Sequence, residues 1–226
     1  MPLSRLQQRV RHGIYAAWIA SGTPPTVEQQ AAALGAPAED IRDARRALAE
    51  AHALVIDESA EIRIAHPLSA APTGFAVAAA GKTFHGNCIW DSLAIPAMLK
   101  ADARISASCG DCQEPMEVVV EDGELVGSEL ASDARVMHVA LPAAQWWEDV
   151  VYTCKTILLF RDDEHVSRWC DRWRVTRGAA MPLRQAWLLA QAWYGNRMDP
   201  DWQPRSREAA QKILDDVGLT GSFWRL

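Results

Sequence analysis

Cys88 and Asp91 stand three residues apart in His85-Gly86-Asn87-Cys88-Ile89-Trp90-Asp91. If a helix begins near Asn87, the sulfur lies in its first turn, where the positive end of the helix dipole favours thiolate. The carboxyl three residues on then shares the same helical face. A carboxylate beside a thiol can take its proton and pass it on. On spacing alone the favoured reading is the plainer one, a small buried cysteine and a first-turn helix charge. Cys109-Gly110-Asp111-Cys112 is a CxxC on a turn, the pattern of half a zinc site, a redox pair or a soft-metal clip. No second CxxC or CxxH follows, so a closed structural zinc would have to recruit Cys88, Cys154 or Cys170. Cys154 lies in an apolar segment and in isolation reads as core. Cys170, between Trp169 and Asp171, reads as structural.

The rest of the chain narrows the chemistry. There is no Gly-rich phosphate loop, GxGxxG, HExxH or GxSxG. The six histidines, at 12, 52, 66, 85, 138 and 165, show no ligand spacing. Nucleotide-driven reactions and standard zinc hydrolysis are therefore disfavoured. No run reaches the roughly 18 apolar residues of a membrane span, and no secretory signal is visible, so the expected compartment is the cytoplasm, where five cysteines stay reduced. A net charge of −6 argues against a nucleic-acid binder.

The elements that must position these residues follow from periodicity and punctuation. Residues 3–20 carry a helical apolar stripe. Thr26, with Gln29 in capping-box position, starts a helix that Gly35 ends. A third helix, about 38–51, buries Ile41, Ala44 and Leu48 and presents Arg42, Arg45 and Arg46 on a polar face. Two strand-like runs, 53–56 and 61–65, follow as a hairpin. Three helices and a hairpin outline a winged helix-turn-helix, readable as a DNA-binding module or as a packing domain without DNA contact. Beyond it, 74–80 is strand-like, 84–99 runs helically, and 105–108, 116–121, 124–128 and 135–141 are strand-like. An apolar run covers 146–160, and helices are predicted at 164–173, 181–194 and 206–217, the last capped by Ser206 and stopped by Gly218. Most of the ten tryptophans lie beyond residue 145. The fold class is α+β: a winged-helix-like helical module over 1–68, then a small mixed or antiparallel sheet domain with flanking helices over 69–226.

The stretch Asn87-Cys88-Ile89-Trp90-Asp91-Ser92-Leu93-Ala94-Ile95-Pro96-Ala97, the strand ending Ser108-Cys109, and Cys154 followed by Leu158-Leu159-Phe160 resemble the organomercurial (alkylmercury) lyase family. The resemblance covers about residues 5–195. It implies protonolysis of carbon–mercury bonds and a role in mercuric resistance, with Cys88, Asp91 and Cys154 as the two cysteines and aspartate that do the work. Cys109 matches a cysteine that is structural in the family. No cofactor is implied. Mercury enters as an organomercurial substrate and remains as Hg(II), to be taken by low-molecular-weight thiols or a mercuric reductase. The chemistry suits the residues, because mercury is soft and prefers thiolate to oxygen or nitrogen. Ile89, Trp90, Trp146, Trp147 and Phe160 are expected to wall the organic group.

Three features depart from the family pattern: Cys112, which makes 109–112 a secondary soft-metal site for zinc or a similar ion; Thr153 before Cys154; and a tail over 196–226. Two other readings stand beside the lyase. One is a soft-metal binder or metal-responsive DNA-binding regulator. The other is a lyase-like enzyme acting on a different thiol-dependent substrate.

Overall fold

Small polar residues at the right positions set the helix boundaries of the computed structural model, which describes residues 2–127 and 134–226. Ser4 and Thr26 each close a capping box, with Gln7 and Gln29, at the starts of α1 (Arg5–Ser21) and α2 (Val27–Leu34). Gly22 and Gly35 end these helices with left-handed backbone that glycine adopts without strain. Helix α3 (Ala38–Glu50) buries Ile41, Ala44 and Leu48 against them. A small antiparallel sheet of β1 (Val55–Ile56), β2 (Ile62–Ala65) and β3 (Leu68–Ser69) follows.

The three arginines of α3 do not form one basic face. Arg45, expected on the polar side, is fully buried. Its guanidinium donates to Gln30, to the carbonyls of Pro25 and Ala60, and to Glu61. A buried cation is tolerable only with such a full set of acceptors. Arg42 pairs with Glu28 and Glu39, and Arg46 with Glu39 and Asp43, so little positive charge is left unmatched on this helix.

A five-stranded antiparallel sheet carries the centre of the molecule in the order β5-β4-β6-β7-β8. Its strands are β4 (Ala76–Ala79), β5 (Lys82–His85), β6 (Ala103–Ser108), β7 (Pro115–Glu121) and β8 (Glu124–Val126). Burial alternates along β6 and β7, the mark of a sheet with one wet face. Register aligns Val77, Ile105 and Val118 across the dry face. Each is essentially fully buried, which stabilises the sheet by roughly 1.5–3 kcal/mol per side chain. The expected strand 124–128 ends at Val126 among the described residues, and Ser128 lies outside them.

Helix α4 (Ile89–Leu99) packs on β4 and β6 and against α7 (Leu183–Tyr194). Ile89 through Met98 are all buried, so α4 is enclosed on every side as a central helix, with Asp91 and Ser92 among its buried residues. The expected helix 84–99 is corrected at its start: Phe84 and His85 belong to β5, paired with Val77 and Ala76. A second three-stranded antiparallel sheet, β10-β9-β11, joins β9 (Val136–Val139), β10 (Leu158–Phe160) and β11 (Ala179–Pro182). The apolar run at 146–160 resolves into α5 (Val150–Thr156) and β10. Helices α6 (Asp163–Trp173) and α8 (Arg207–Asp216) complete the α+β architecture.

The first and last parts of the chain meet. The guanidinium groups of Arg11 and Arg197 each stand over the Trp202 ring, 4.2 and 4.6 Å from its centre. Burial lowers the Arg11 pKa to about 10, so the group still carries its charge at neutral pH. Arg11 also donates to the carbonyls of Arg197 and Asp199.

Candidate active site

Strand β5 delivers the chain to Gly86, where any side chain would collide with α4: a Cβ there would sit 2.3 Å from Ser92 Oγ and 2.7 Å from Ser92 N. Two residues later Cys88, in extended backbone, is the N-cap of α4 rather than a first-turn residue. Its sulfur takes the role usually filled by a serine or aspartate oxygen, accepting from the Asp91 backbone N–H at 3.4 Å. Ser92 Oγ donates to the Cys88 carbonyl at 2.8 Å and fixes the turn.

Asp91 follows in the first turn of α4, almost wholly buried. Asn87 Nδ2 donates to Asp91 Oδ2 at 3.0 Å, and the Tyr194 hydroxyl of α7 donates to Oδ1 at 3.3 Å. Burial, then the nearby carboxylate, push the Tyr194 phenol well above its ordinary range, so it stays protonated and keeps donating. His66 Nδ1 stands 3.7 Å from Asp91 Oδ2.

Cys154 arrives on α5, which Asp149 caps through the Tyr152 N–H. Thr153 turns inward, its hydroxyl within reach of the carbonyls of Trp146 and Asp149. The Cys154 sulfur then lies 3.9 Å from Asp91 Oδ2, across 63 residues of sequence. Cys88, Asp91 and Cys154 therefore share one pocket, while Cys109, Cys112 and Cys170 do not line it.

Burial pushes the Cys88 thiol well above its ordinary value, helped by the neighbouring Cys154 and the Asp91 charge. This corrects the expectation of a thiolate favoured by the helix terminus. In a dry pocket, desolvation of the anion outweighs both the dipole and the Asp91 N–H. Cys88 thus waits as a thiol, and a cation that binds the sulfur must displace its proton.

Sequence spacing did not reveal His66, Asn87 or Tyr194. His66, Asp91 and Cys154 offer ligand atoms within 4.8 Å of one another. The His66 carbonyl accepts from Tyr15 of α1 at 2.7 Å and from Arg197 at 3.0 Å, so both chain ends hold this residue in place. The walls are Trp90, Trp146, Trp147 and Trp193. Ile89 and Phe160, expected there, are not among them; Phe160 packs on His138 and Trp169. The cavity has about 30 Å³ of free space, enough to hold a water. Trp147 and Trp193 also border a larger cavity of about 390 Å³ beside His52, Arg197 and Trp202.

The fold and the pocket define an α+β protein with a buried centre of two thiols and one carboxyl, equipped to hold a soft cation and to move a proton beside it. Residues 68–195, more than half of the chain, match the family model described as alkylmercury lyase, and the chain belongs to that family. Alkylmercury lyases of Bacillus cereus and Clostridium butyricum are each 27% identical to it over 154 residues, covering 68% of this chain and 67% of theirs. The crystal structure of the mercury-bound form of MerB2 shares the fold, with a TM-score of 0.64 and 23% identity over 87% of this chain and 98% of that one. No helix among the described residues is long and apolar enough to cross a membrane.

Proposed function

We propose that this chain cleaves the carbon–mercury bond of organomercurials by protonolysis, with Cys88 and Cys154 as mercury ligands and Asp91 as proton shuttle. The observation that carries this reading is the approach of Cys154 to Asp91 Oδ2, with Cys88 capping the helix on which Asp91 stands. One thiol binds R–Hg⁺ and loses its proton. The second thiol transfers its proton to Asp91 as its sulfur binds the metal. Two thiolates raise the electron density on mercury and so on carbon, and Asp91 delivers the proton to the carbon as the Hg–C bond breaks. The balance is R–Hg⁺ plus two thiols giving R–H, the mercury bis-thiolate and one H⁺. Asn87 and Tyr194 hold the carboxyl in place through both turns of the shuttle.

Substrate entry requires a wall to move, since about 30 Å³ does not admit an organomercurial. Trp147 is the partly buried wall shared with the larger cavity, stacked on His52 at 5.0 Å and edge-on to His66 at 5.9 Å. We read residues 1–68 as a winged-helix-like module and 69–226 as the catalytic domain. The paired and buried arginines of α3 favour a packing role for the module over DNA binding. Bound Hg(II) leaves by exchange onto small thiols or a mercuric reductase, as fits a cytoplasmic resistance enzyme.

The test is hydrocarbon release from phenylmercury in excess thiol, with Cys88→Ala and Cys154→Ala compared with the unaltered chain. Each variant is expected to lose release entirely. Full activity in Cys154→Ala would overturn the paired-thiol assignment.

A further inference from the structure

The CxxC turn and α6 bring together three soft-metal donors for which the carbon–mercury reaction has no use. The sulfurs of Cys109 and Cys112 and a ring nitrogen of His165 lie within 4.8 Å of one another. A tetrahedral zinc, with bonds of about 2.3 Å to sulfur and 2.0–2.1 Å to nitrogen, places its donors roughly 3.5–3.8 Å apart. Closing the site thus takes a movement of about an ångström, which the exposed Cys112 can supply. His165 Nδ1 pairs with Asp162 Oδ1 at 2.7 Å. A ring proton on Nδ1, shared with that carboxylate, keeps a lone pair on Nε2, the tautomer used in a carboxylate–histidine–metal relay.

The scaffold around these donors is firm. Asp111, between the two cysteines, is buried and bridges Arg168 and Arg172 at 2.9 Å each. Arg172 also donates to the Asp111 carbonyl at 3.0 Å. Positions 165, 168 and 172 share one face of α6, so these bonds hold the cysteine turn against the face that carries His165. The Gln113 N–H closes the turn on the Cys109 carbonyl at 2.9 Å. Two thiols and one imidazole with an open fourth position is a donor set for a thiophilic d¹⁰ cation, not for magnesium or calcium.

We propose that Cys109, Cys112 and His165 form a binding site for one divalent cation of the zinc class, separate from the Cys88–Asp91–Cys154 centre. The test titrates the reduced full chain with Zn(II) against a competing chromophoric chelator, and repeats it with Co(II) as a spectroscopic probe. The chain is expected to bind one equivalent that the Cys88→Ala/Cys154→Ala double variant keeps. Cys112→Ser and His165→Ala are each expected to weaken it at least tenfold and to abolish the thiolate-to-cobalt charge-transfer band. Cys112 is exposed, so Cys112→Ser leaves the fold intact and decides the matter even if the double variant does not fold. The proposal is overturned if no equivalent binds, if Cys112→Ser binds as tightly as the unaltered chain, or if the equivalent disappears with Cys88 and Cys154 instead.

Discussion

Replacing Asp91 by asparagine separates mercury binding from proton delivery. The change keeps the shape of the side chain and leaves in place the backbone N–H that the Cys88 sulfur caps. It removes the group that can carry a proton. General acid–base catalysis by one positioned side chain contributes about 10²–10⁴-fold, or roughly 2.7–5.4 kcal/mol at about 1.36 kcal/mol per tenfold. Hydrocarbon release should fall by that factor, while both sulfurs still take up mercury. Stability should fall as well. Asn87 and Tyr194 both donate to the Asp91 carboxylate, and an asparagine side chain has a single oxygen acceptor. One buried donor then faces an amide NH₂, at a cost of about 1–3 kcal/mol. The assay pairs gas or liquid chromatography of the released hydrocarbon with mercury stoichiometry and urea denaturation of the same variant. Release within tenfold of the unaltered chain, from a variant that binds mercury normally, would refute the shuttle role.

Other outcomes follow from the same geometry. Because burial raises the Cys88 pKa, iodoacetamide at neutral pH should label the exposed Cys112 well before Cys88, as read by peptide mass mapping; equal rates would contradict a buried, protonated Cys88. The same shift has a stability sign. The folded thiol holds its proton more tightly than the unfolded one, whose ordinary value is near 9, so its contribution is complete below that pH. It is lost as pH rises above 9 towards the folded value, and urea midpoints should decline there with a smaller slope in Cys88→Ala. Gly86→Ala should destabilise the chain by about 1–3 kcal/mol and depress release, because its Cβ meets the first turn of α4 at 2.3 Å; an unchanged urea midpoint would count against that packing.

Local signals in the sequence carried far, and the limits have physical causes. Thr26 with Gln29, Ser206, Gly35 and Gly218 marked helix ends correctly because caps are local chemistry. Cys88 and Asp91 were legible as a pair because a helical turn brings them together. Cys154 came only through family resemblance, since nothing within its own segment points to a partner 63 residues away. His66, Asn87 and Tyr194 converge on Asp91 from three separate parts of the chain, a convergence created by packing alone. The start of α4 was misjudged because a helix buried on all sides has no apolar stripe to give its phase, and Phe84 and His85 then look continuous with it. Arg45 looked like a surface cation, and only the tertiary fold supplies the four acceptors that let it go inside. The cysteine-turn histidine was hidden in the same way, His165 being more than fifty residues from Cys112 in sequence.

In the proposed mechanism the proton on the departing carbon reaches it through a buried thiol–carboxyl centre. Incubating the chain with phenylmercury and excess thiol in D₂O, and analysing the benzene by mass spectrometry, tests it directly. Catalytic formation of benzene carrying one deuterium is expected, and it should be abolished in Cys154→Ala. Stable phenylmercury adducts on Cys88 with no benzene formed would contradict it.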